Sequence, residues 1–417
     1  MPKSKIKIKK SRSCIACRKK GLIKYLDLGK SAPANSYLNK VDLNKAEIKF
    51  PLSVSYCPNC HLAQLTDWVD RKALFEYYGY FTRASQPLHE HFKKYAEDVF
   101  EKFPSQTKQY VFDIGSNDGF LLKCFEQFGT KILGVDPAKN IAKTANQNGI
   151  PTLPIFFGLN EAQKISKKYG KMGVVTANNV LAHTDDIHGI LAGVKELLDG
   201  DGVFVFEVQY LADLIGKNEF DNTYHEHICY FSLSPLINLL QKWELQIFDV
   251  IKVNTQGGSL RVFASHNNGI HKIKKTVVKM IEEEKENGFH DSKLYKKFGL
   301  VPQKMKSDLL KMLADLKKQN KKIIGYGCAA KGNTMLQYCG IRQDLLDYIV
   351  DTTPYKQGKF TPGTHIPIMP PEYMKEERPD YILILAWNYA KEILVKESDL
   401  RKKGVKFIVP VPEIKII

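Results

Sequence analysis

The chain has 417 residues, of which 43% are hydrophobic, so it is long enough for two or three domains with sizeable cores. No segment approaches the roughly 18–20 consecutive apolar residues of a membrane-spanning helix, and the basic N-terminus lacks the apolar stretch of a signal peptide. We therefore expect a cytoplasmic protein with no membrane partner. The net charge of +17 would suit an anionic partner, but much of it is lysine spread along predicted helices such as 304–322, which is typical of a solvated face.

Four of the eight cysteines form two CxxC pairs, Cys14 with Cys17 and Cys57 with Cys60. Each CxxC turn directs two thiolates to one point, and two turns supply the tetrahedral four-sulfur set that zinc prefers. We predict a closed, structural zinc site within residues 1–80, behind a basic tail. A redox dithiol is the alternative, and His61 would be a substitute ligand, but two complete pairs favour four-thiolate zinc. The remaining cysteines are predicted to be buried, inert thiols: Cys124, Cys229, Cys328 and Cys339.

Residues 84–106 are predicted to form a helix with His89 and His91 on its surface. From residue 108 onward, apolar strand-like runs alternate with helical patterns. This alternation predicts an α/β domain over residues 81–234 whose doubly wound parallel sheet binds its ligand at the carboxyl ends of the strands. The predicted strands are 110–115, 131–137, 152–155, 172–180 and 202–208.

A glycine-rich turn follows the first of these strands and resembles the first motif of class I S-adenosylmethionine methyltransferases. Its pattern, D-x-G-x-x-x-G, lets the backbone approach a ligand but has no glycine pair to frame a pyrophosphate. The acid that ends the second strand, Asp136, suits ribose hydroxyls in a methyl-donor site and in the alternative, a degenerate dinucleotide site. The candidate cofactor-binding residues are Asp113, Gly115, Asn117, Asp118, Gly119, Asp136, Asn178 and Asn179.

The segment 221–232 puts one phenol, two imidazoles and a carboxylate into four consecutive residues, 224–227. Carbon-acid chemistry needs such groups, because a base and an oxyanion partner must form an enolate together. In a turn or a helix, Tyr224 and His227 share a face, whereas in a strand they would not. A polar loop whose side chains satisfy one another is the alternative.

Residues 235–417 are predicted to hold a helix and two strands, a charged helical segment over 269–320, and then a second Rossmann-like α/β unit with its own glycine-rich turn at 325–327. Amides at the start of a helix bind phosphate, so Lys331 and the loop around Lys356 are candidates for holding a nucleotide diphosphate. A purely architectural domain is the alternative; a nicotinamide cofactor is unsupported here, because there is no complete G-x-G-x-x-G motif.

The order of these parts resembles the sugar C-methyltransferases, which act on nucleotide-linked 4-keto-deoxyhexoses, and the resemblance covers roughly residues 13–415. Each motif is weak alone, but the combination is specific. It rests on four local motifs, which are Asn178-Asn-Val-Leu-Ala-His183, Tyr224-His-Glu-His227, Gly257-Gly-Ser-Leu-Arg261 and Gly325-Tyr-Gly-Cys-Ala-Ala-Lys331-Gly-Asn333-Thr.

This resemblance implies S-adenosylmethionine as methyl donor, structural zinc and a branched-chain sugar as product. It also implies a sugar pocket lined by Tyr78, His183, Tyr224, Glu226 and His227. We expect His227 to be the base, with Tyr224 able to exchange roles with it, and we expect Tyr224 or His183 to donate to the keto oxygen. The other predicted substrate-binding residues are His225, Gly257, Ser259, Arg261, Lys331, Asn333 and Lys356.

Three further functions compete with this one. A zinc-ribbon nucleic-acid methyltransferase or binder would fit the charge, but most basic residues lie on helices without interleaved aromatic residues. An O- or N-methyltransferase of small molecules leaves the second Rossmann-like domain unexplained, and a non-enzymatic sugar-nucleotide binder leaves the Asp113 turn unexplained. We expect no nucleic-acid partner, and a monomer or weak homo-oligomer.

Overall fold

The computed structural model describes residues 8–71, 74, 82–84 and 86–417. The N-terminal region contributes two small sheets. β1 and β5 pair as an antiparallel ribbon, and β2, β3 and β4 pair antiparallel in sequence order. The bounds of these strands are β1 (Ile8–Lys10), β2 (Ile23–Ser31), β3 (Phe50–Tyr56), β4 (Ala63–Leu65) and β5 (Asp67–Val69).

The central region alternates helices and strands, as its hydrophobic pattern predicts. Its elements are α1 (Gln86–Lys102), α2 (Pro104–Thr107), β6 (Tyr110–Ile114), α3 (Phe120–Glu126), β7 (Lys131–Val135), α4 (Lys139–Gln147), β8 (Thr152–Leu153), α5 (Leu159–Tyr169), β9 (Met172–Asn178), α6 (Ile187–Leu197), β10 (Leu198–Gln209), α7 (Leu211–Gly216), β11 (Cys229–Tyr230), α8 (Leu233–Gln241), β12 (Leu245–Val253) and β13 (Ser259–His266).

Seven of these strands form one sheet in the order β12-β13-β10-β9-β6-β7-β8. β13 runs antiparallel to both neighbours, and the other six strands share one direction. The five strands predicted for this domain, β6 to β10, are all parallel as predicted, and β13 makes the complete sheet mixed. The chain winds outward from β6 to β8 and then returns to β9 beside β6, so the switch point lies between β6 and β9. Ligands bind at such a point in open α/β sheets.

Strands β12 and β13 cross the predicted domain boundary. Residues 235–267 are predicted to belong to the C-terminal domain, and both strands extend the central sheet beyond β10. The short strand β11 lies outside the central sheet, because it pairs antiparallel with β4 of the N-terminal sheet. The central and N-terminal regions therefore share backbone hydrogen bonds.

The C-terminal region is a second α/β unit. Its elements are α9 (Lys275–Glu286), α10 (Ser292–Phe298), α11 (Val301–Lys318), β14 (Ile323–Tyr326), α12 (Ala330–Cys339), β15 (Ile349–Val350), β16 (Ile368–Met369), α13 (Tyr373–Glu377), β17 (Tyr381–Ile384), α14 (Ala390–Lys396), α15 (Ser398–Lys402), β18 (Lys406–Val409) and β19 (Lys415–Ile416). The strand order is β16-β15-β14-β17-β18-β19, with β19 antiparallel at the edge. This topology confirms the predicted second Rossmann-like unit.

The N-terminal and C-terminal regions share one hydrophobic core. Tyr56 of β3 stacks on Tyr295 of α10 with ring centroids 4.2 Å apart, and both rings are buried. Leu309 and Leu313 of α11 belong to the same cluster. Because each buried aromatic ring removes a large apolar area from water, this contact fixes the orientation of the two regions. In the described part of the chain, no helix is both long enough and apolar enough to cross a bilayer.

Candidate active site

The four predicted metal ligands lie together. The sulfur atoms of Cys14 and Cys60 are 3.5 Å apart, as are those of Cys17 and Cys57, and all four lie within 4.8 Å of one another. Ligands about 3.8 Å apart are expected around a tetrahedral zinc ion with Zn–S bonds of about 2.3 Å. The four sulfurs therefore fit zinc, which would crosslink two turns separated by about 40 residues.

The zinc cluster also supports the segment 224–230, which we call the catalytic loop. Cys14, Cys57 and Cys60 pack in one hydrophobic cluster with Ile228 of this loop. Just after Cys60, β4 pairs with β11, and the Leu65 amide donates to the Ile228 carbonyl over 2.9 Å. Metal binding and the shape of the loop are therefore mechanically connected.

The turn after β6 is built to approach a ligand closely. Gly115 has φ +69°, and its amide donates to the carbonyl of Val135, the last residue of β7, over 2.8 Å. A Cβ at Gly115 would lie 2.6 Å from a methyl group of Val180. Gly119, with φ +77°, turns the chain into α3, where a Cβ would strike Ile150. Both glycines are therefore required by the backbone.

Two acids organise this turn. Asp136 accepts hydrogen bonds from the Asn117 and Ala138 amides over 3.0 and 2.8 Å, and burial raises the pKa of its carboxyl group to about 6. Asp113 accepts a 2.6 Å hydrogen bond from Thr176, and burial, reinforced by Asp136, raises its pKa to about 7. Asp136 lies at the cavity wall, where the predicted ribose ligand belongs.

Other members of the predicted cofactor set divide between lining and support. Asn178 and Asn179 line the cavity at the end of β9, and the buried amide group of Asn178 makes no hydrogen bond within the described residues. Asn117 lines the cavity, while Asp118 accepts a hydrogen bond from the Arg83 amide and lies behind the lining. The buried amide group of Asn178 is therefore suited to a ligand that supplies its hydrogen-bond partner.

The catalytic loop holds Tyr224 and His227 in hydrogen-bond contact. The loop forms a turn in which the His227 amide donates to the Tyr224 carbonyl, so the two side chains share a face as predicted for a turn. His227 Nδ1 lies 2.9 Å from the carbonyl oxygen of Asn222, which only accepts, so Nδ1 carries the proton. Nε2 therefore accepts from the Tyr224 hydroxyl over 2.6 Å.

Burial keeps the imidazoles around this pair neutral. Burial, reinforced by His183, lowers the pKa of His227 well below its usual value. Burial also lowers the pKa of His183 to about 4, opposed by a hydrogen bond to the Glu226 backbone. The two rings meet edge to face with centroids 4.8 Å apart, and both line the cavity. At neutral pH the cavity wall therefore holds one imidazole that accepts a proton, His227, beside a second uncharged imidazole, His183.

Glu226 receives a donor that the sequence analysis missed. The Asn35 amide, from the N-terminal region, donates to Glu226 Oε1 over 2.7 Å, and both residues line the cavity. His225, between Tyr224 and Glu226, points away from the cavity: its Nε2 lies 3.3 Å from the Phe50 carbonyl and the residue is 1% exposed. His225 therefore anchors the loop to β3, and the structure does not place it in the lining where a substrate contact was predicted.

A second missed feature is a buried ion network at the end of β10. Glu207 accepts hydrogen bonds from His91 Nε2 at 2.8 Å and from Arg261 Nε at 2.8 Å, and Arg261 also pairs with Asp98. Glu207 and His91 line the cavity, so His91 is not a surface residue as predicted. Arg261 is 2% exposed and pairs with Glu207 behind the cavity lining, and its predicted substrate contact stays a prediction.

Three more predicted substrate-binding residues lie outside the cavity lining among the described residues. Ser259 is buried and donates to the Thr255 carbonyl. Gly257 has φ +98°, and a Cβ there would meet the Glu219 carboxylate. Asn333 is 1% exposed and donates to a backbone carbonyl in the N-terminal region. Each of the three therefore makes its contacts within the protein, and their predicted substrate contact stays a prediction. Tyr78 lies outside the described residues.

Lys331 and Lys356 do line the cavity. Lys331 is buried, its Nζ lies 4.6 Å from the Trp387 ring centroid, and it makes no hydrogen bond within the described residues. Burial lowers its pKa, opposed by the carboxylates of Asp221 and Glu219. A buried ammonium group facing a cavity without a hydrogen-bond acceptor is suited to an anionic ligand.

The turn after β14 repeats the hydrogen bonds of the turn after β6. The Gly327 amide donates to the carbonyl of Val350, the last residue of β15, over 2.8 Å. The Cys328 amide donates to Asp351 over 2.7 Å, as Asn117 does to Asp136. Lys356 pairs with Asp351 at 3.1 Å, and this charge lowers the Asp351 pKa against the effect of burial.

The two turns face a single cavity of about 1250 Å³, with the catalytic loop between them. One end is lined by Gly115, Asp136 and Asn178, and the other by Gly327, Asp351 and Lys356. Single small-molecule sites commonly occupy about 300–1,000 Å³, so this volume suits two ligands held side by side. The fold and site thus define a transferase of the S-adenosylmethionine-dependent class that also carries a zinc-binding domain.

Comparison with known families divides the chain into three matched regions. The chain matches a zinc binding domain over residues 14–75, a methyltransferase domain over residues 88–250 and a C-methyltransferase C-terminal domain over residues 254–412. It is 34% identical over 404 residues to C-methyltransferase NovU of Streptomyces niveus, covering 97% of this chain and 96% of that protein. The chain belongs to the C-methyltransferase family, with S-adenosylmethionine as its cofactor and a four-cysteine zinc-binding domain, as the sequence indicated.

Solved structures resemble part of the chain. Magnesium protoporphyrin IX methyltransferase from Synechocystis PCC 6803, with bound SAH, is 13% identical with a TM-score of 0.34, covering 43% of this chain and 83% of that chain. The PH0226 protein of Pyrococcus horikoshii OT3 is 14% identical with a TM-score of 0.36, covering 45% of this chain and 94% of that chain.

Gly115→Ala tests the cofactor end of the cavity. The new methyl group meets Val180 at 2.6 Å and requires alanine at φ +69°, so the turn must shift. We expect S-adenosylmethionine affinity to fall by about 10-fold or more, since strain of about 1–3 kcal/mol is relieved only by moving the turn. Isothermal titration calorimetry measures the effect. Gly129→Ala, at φ +72° with open space around it, is the control for backbone strain alone, and equal losses in both variants would contradict the assignment.

Proposed function

We propose that this enzyme methylates a carbon of a nucleotide-diphosphate-linked 4-keto-deoxysugar through an enolate, making a branched-chain sugar. The observation that supports this most is the Tyr224–His227 pair, held 2.6 Å apart between the two turns of one cavity. Carbon methylation needs a base, because the carbon must first lose a proton, whereas many O- and N-methylations use an existing lone pair.

The proton path begins at the hydroxyl of Tyr224, a half-buried residue that lines the cavity beside the 5%-exposed His227. The C–H bond beside the ketone breaks, its proton passes to the Tyr224 oxygen, and the Tyr224 proton passes to His227 Nε2. The electron pair of that bond becomes the enolate. The Asn222 carbonyl accepts from Nδ1–H and stabilises the resulting imidazolium. This assignment puts Tyr224 in contact with the sugar and His227 behind it.

The developing enolate oxygen needs an uncharged hydrogen-bond donor. His183 is our candidate, because its depressed pKa keeps it neutral and its ring lies beside that of His227. The carboxylate of Glu226 is a candidate for binding either a sugar hydroxyl or the His227 imidazolium. When bound, S-adenosylmethionine supplies the electrophilic methyl group that the enolate carbon takes by direct displacement.

The nucleotide half of the substrate is assigned to the C-terminal end of the cavity. The Gly327–Ala329 turn leads into α12, where free amides favour phosphate, and Lys331 and Lys356 add positive charge. The aromatic rings of Tyr37 and Tyr355 stand at this end with centroids 6.5 Å apart, suited to contact with a base. This assignment explains why a methyltransferase retains a second Rossmann-like domain.

The decisive test incubates the purified protein with S-adenosylmethionine and dTDP-4-keto-6-deoxyglucose, with and without a 3-amino variant of the sugar. Mass spectrometry of the sugar nucleotide should show a gain of one CH2, and NMR then locates the methylated carbon. Labelled methyl transferred instead to bulk RNA would favour the nucleic-acid alternative. Mass gain with loss of an exchangeable hydroxyl or amine proton would favour O- or N-methylation.

The neutral histidines predict where activity is lost in acid. Burial holds the pKa of His227 well below its usual 6.5, so the proton-accepting form persists as the pH falls through that value. We expect kcat at saturating substrates to remain constant from neutrality to pH 6.5 and to decline only in more acidic solution. A half-maximal rate at pH 6.5, with the fold intact by circular dichroism, would contradict a buried imidazole base.

A further inference from the structure

The segment from Ala32 to Leu38, which we call the strap, leaves the N-terminal sheet and lies on the C-terminal unit. The Ala32 amide donates to the Gln337 side chain over 2.8 Å, and the Gln337 amide donates back to the Ala32 carbonyl over 3.1 Å. Leu38 exchanges two backbone hydrogen bonds with Phe360. Both ends of the strap are therefore fixed to the C-terminal unit.

Between these ends, the strap touches the turn that is assigned to the nucleotide. The Tyr37 hydroxyl donates to the Cys328 carbonyl over 2.7 Å, and Lys356 donates to the same oxygen over 2.9 Å. Asn333, at the start of α12, donates to the Ala34 carbonyl over 2.8 Å. A shift of this turn or of α12 is therefore passed directly to residues 34–37.

Asn35, which lies between Ala34 and Tyr37, points the other way, toward the catalytic loop. Asn35 donates to Glu226 Oε1 over 2.7 Å, across 191 residues of sequence. Asn35 and Tyr37 line the cavity alongside Tyr224 and Glu226. Hydrogen bonds thus join Tyr37 to Cys328 and Asn35 to Glu226, and the strap backbone joins these two contacts. Together they form a short connection between the two halves of the cavity.

We propose that Asn35 is a positioning residue, and that the strap transmits occupancy of the nucleotide end of the cavity to the orientation of Glu226. This inference rests on the proposed function, because it needs a substrate that reaches both ends. Binding energy from a remote part of a substrate is useful when it aligns the reacting groups, and an error of about 1 Å in alignment costs about 100-fold in rate.

Asn35→Ala removes the donor and leaves the lining otherwise intact. We expect kcat for the sugar nucleotide to fall by about 10- to 100-fold, with both KM values within about threefold of wild type. Asn39→Ala is the matched control, because Asn39 is exposed, follows the strap directly, and its side chain donates to Asp42 over 3.4 Å, away from the catalytic loop. An unchanged kcat in Asn35→Ala, with active wild type, would overturn the positioning role.

Asn35→Asp supplies a measurement, the pH dependence of activity, that a simple loss of packing would not change. It sets two carboxyl groups in contact, so one of them has a raised pKa and holds a shared proton in acid. That proton restores a donor to Glu226, and we expect the variant to regain activity as the pH falls, whereas Asn35→Ala stays low throughout. Parallel pH profiles for the two variants would overturn the proposal.

The same substitution tests the contact without any substrate. Because the raised pKa belongs to the folded state, the stabilising shared proton is present in acid and is lost as the pH rises through that pKa. The melting temperature of Asn35→Asp should therefore fall relative to Asn39→Asp between about pH 4 and 8. An equal pH dependence of the two variants overturns the strap contact even if the sugar nucleotide proves to be the wrong substrate.

The link to the C-terminal unit is tested by a double-mutant cycle. Asn333→Ala removes the donor to Ala34, so it should lower kcat in the same direction as Asn35→Ala. If both act through the strap, the double variant should lose little more than the stronger single variant; independent losses would multiply. Multiplying losses would leave Asn35 as a local contact and refute transmission. Wild type that fails to methylate the sugar nucleotide would refute the proposed function instead.

Discussion

Replacing His227 by asparagine is expected to reduce kcat by about 10²- to 10⁴-fold, the range associated with losing a positioned acid–base group. Asparagine retains a donor for the Asn222 carbonyl, which now accepts from His227 Nδ1 over 2.9 Å, but it has no nitrogen that takes a proton. The loop should keep its shape while the Tyr224 hydroxyl loses its proton acceptor. Affinity for S-adenosylmethionine should stay within about threefold, because the cofactor turns lie on β6 and β7.

The comparison that isolates this effect is His225→Asn. His225 is the neighbouring buried imidazole, and its Nε2 faces the Phe50 carbonyl, away from the cavity. We expect it to lose thermal stability with a much smaller change in kcat. Steady-state kinetics and calorimetric titration of both variants give the measurement. Turnover of His227→Asn near that of wild type would remove His227 as the proton acceptor, and equal losses in both variants would reduce the effect to general damage to the loop.

Replacing Cys57 by serine is expected to bring zinc content from about one ion per chain toward zero, because a four-thiolate site then has three ligands left. The consequence should extend to catalysis. β4 begins just after Cys60 and pairs with β11 of the catalytic loop, so loss of the metal should free the loop and lower both the melting temperature and kcat. Elemental analysis, a thermal melt and the methyl-transfer assay measure the three quantities.

Cys124→Ser provides the matched control for this variant. Cys124 is also buried, at 4% exposure, but it lies on α3 and packs in a hydrophobic cluster away from the four sulfurs. A serine hydroxyl there costs stability without altering the metal site. Zinc content that is unchanged in Cys57→Ser would end the four-thiolate assignment, whereas equal zinc loss in both variants would indicate a fold-wide effect.

Local patterns in the sequence predicted the elements whose signal is contained in a few residues. The CxxC spacing, the D-x-G-x-x-x-G turn and the alternation after residue 108 correspond to a four-sulfur cluster, a turn with positive φ and a wound sheet. Tyr224 and His227 also meet as their spacing in a turn requires. In each case the constraint acts between neighbours in the chain, so periodicity and residue type suffice.

Contacts between distant segments could not be predicted in this way. His91 and Glu207 are separated by 116 residues, and α1 looks amphipathic whichever partner it meets. Arg261 follows a Gly-Gly pair and therefore resembles an exposed loop residue, yet β13 lies between β12 and β10, where the side chain is surrounded by protein. Asn35 has no motif at all, because its role depends on the path of the strap.

The same difficulty applies to the sheet that β12 and β13 join. A composition change and a helix near residue 235 are typical of the start of a new domain, but sheet membership depends on which edge accepts the next strand. β13 pairs with β10 over six residue pairs from Phe204 to Gln209, and this pairing has no local sequence signal. The strand β11 was not predicted at all, because it is only two residues long and is defined by its partner β4.

The strap also has a consequence for how the enzyme becomes active during its synthesis. Its contact between Ala34 and Asn333 joins residues 299 positions apart, so the ribosome must make most of the chain before the two can meet. The entropy of closing so long a loop is overcome only once the intervening domains have folded. In the proposed mechanism, proton abstraction should therefore be the last property that the chain acquires during its synthesis.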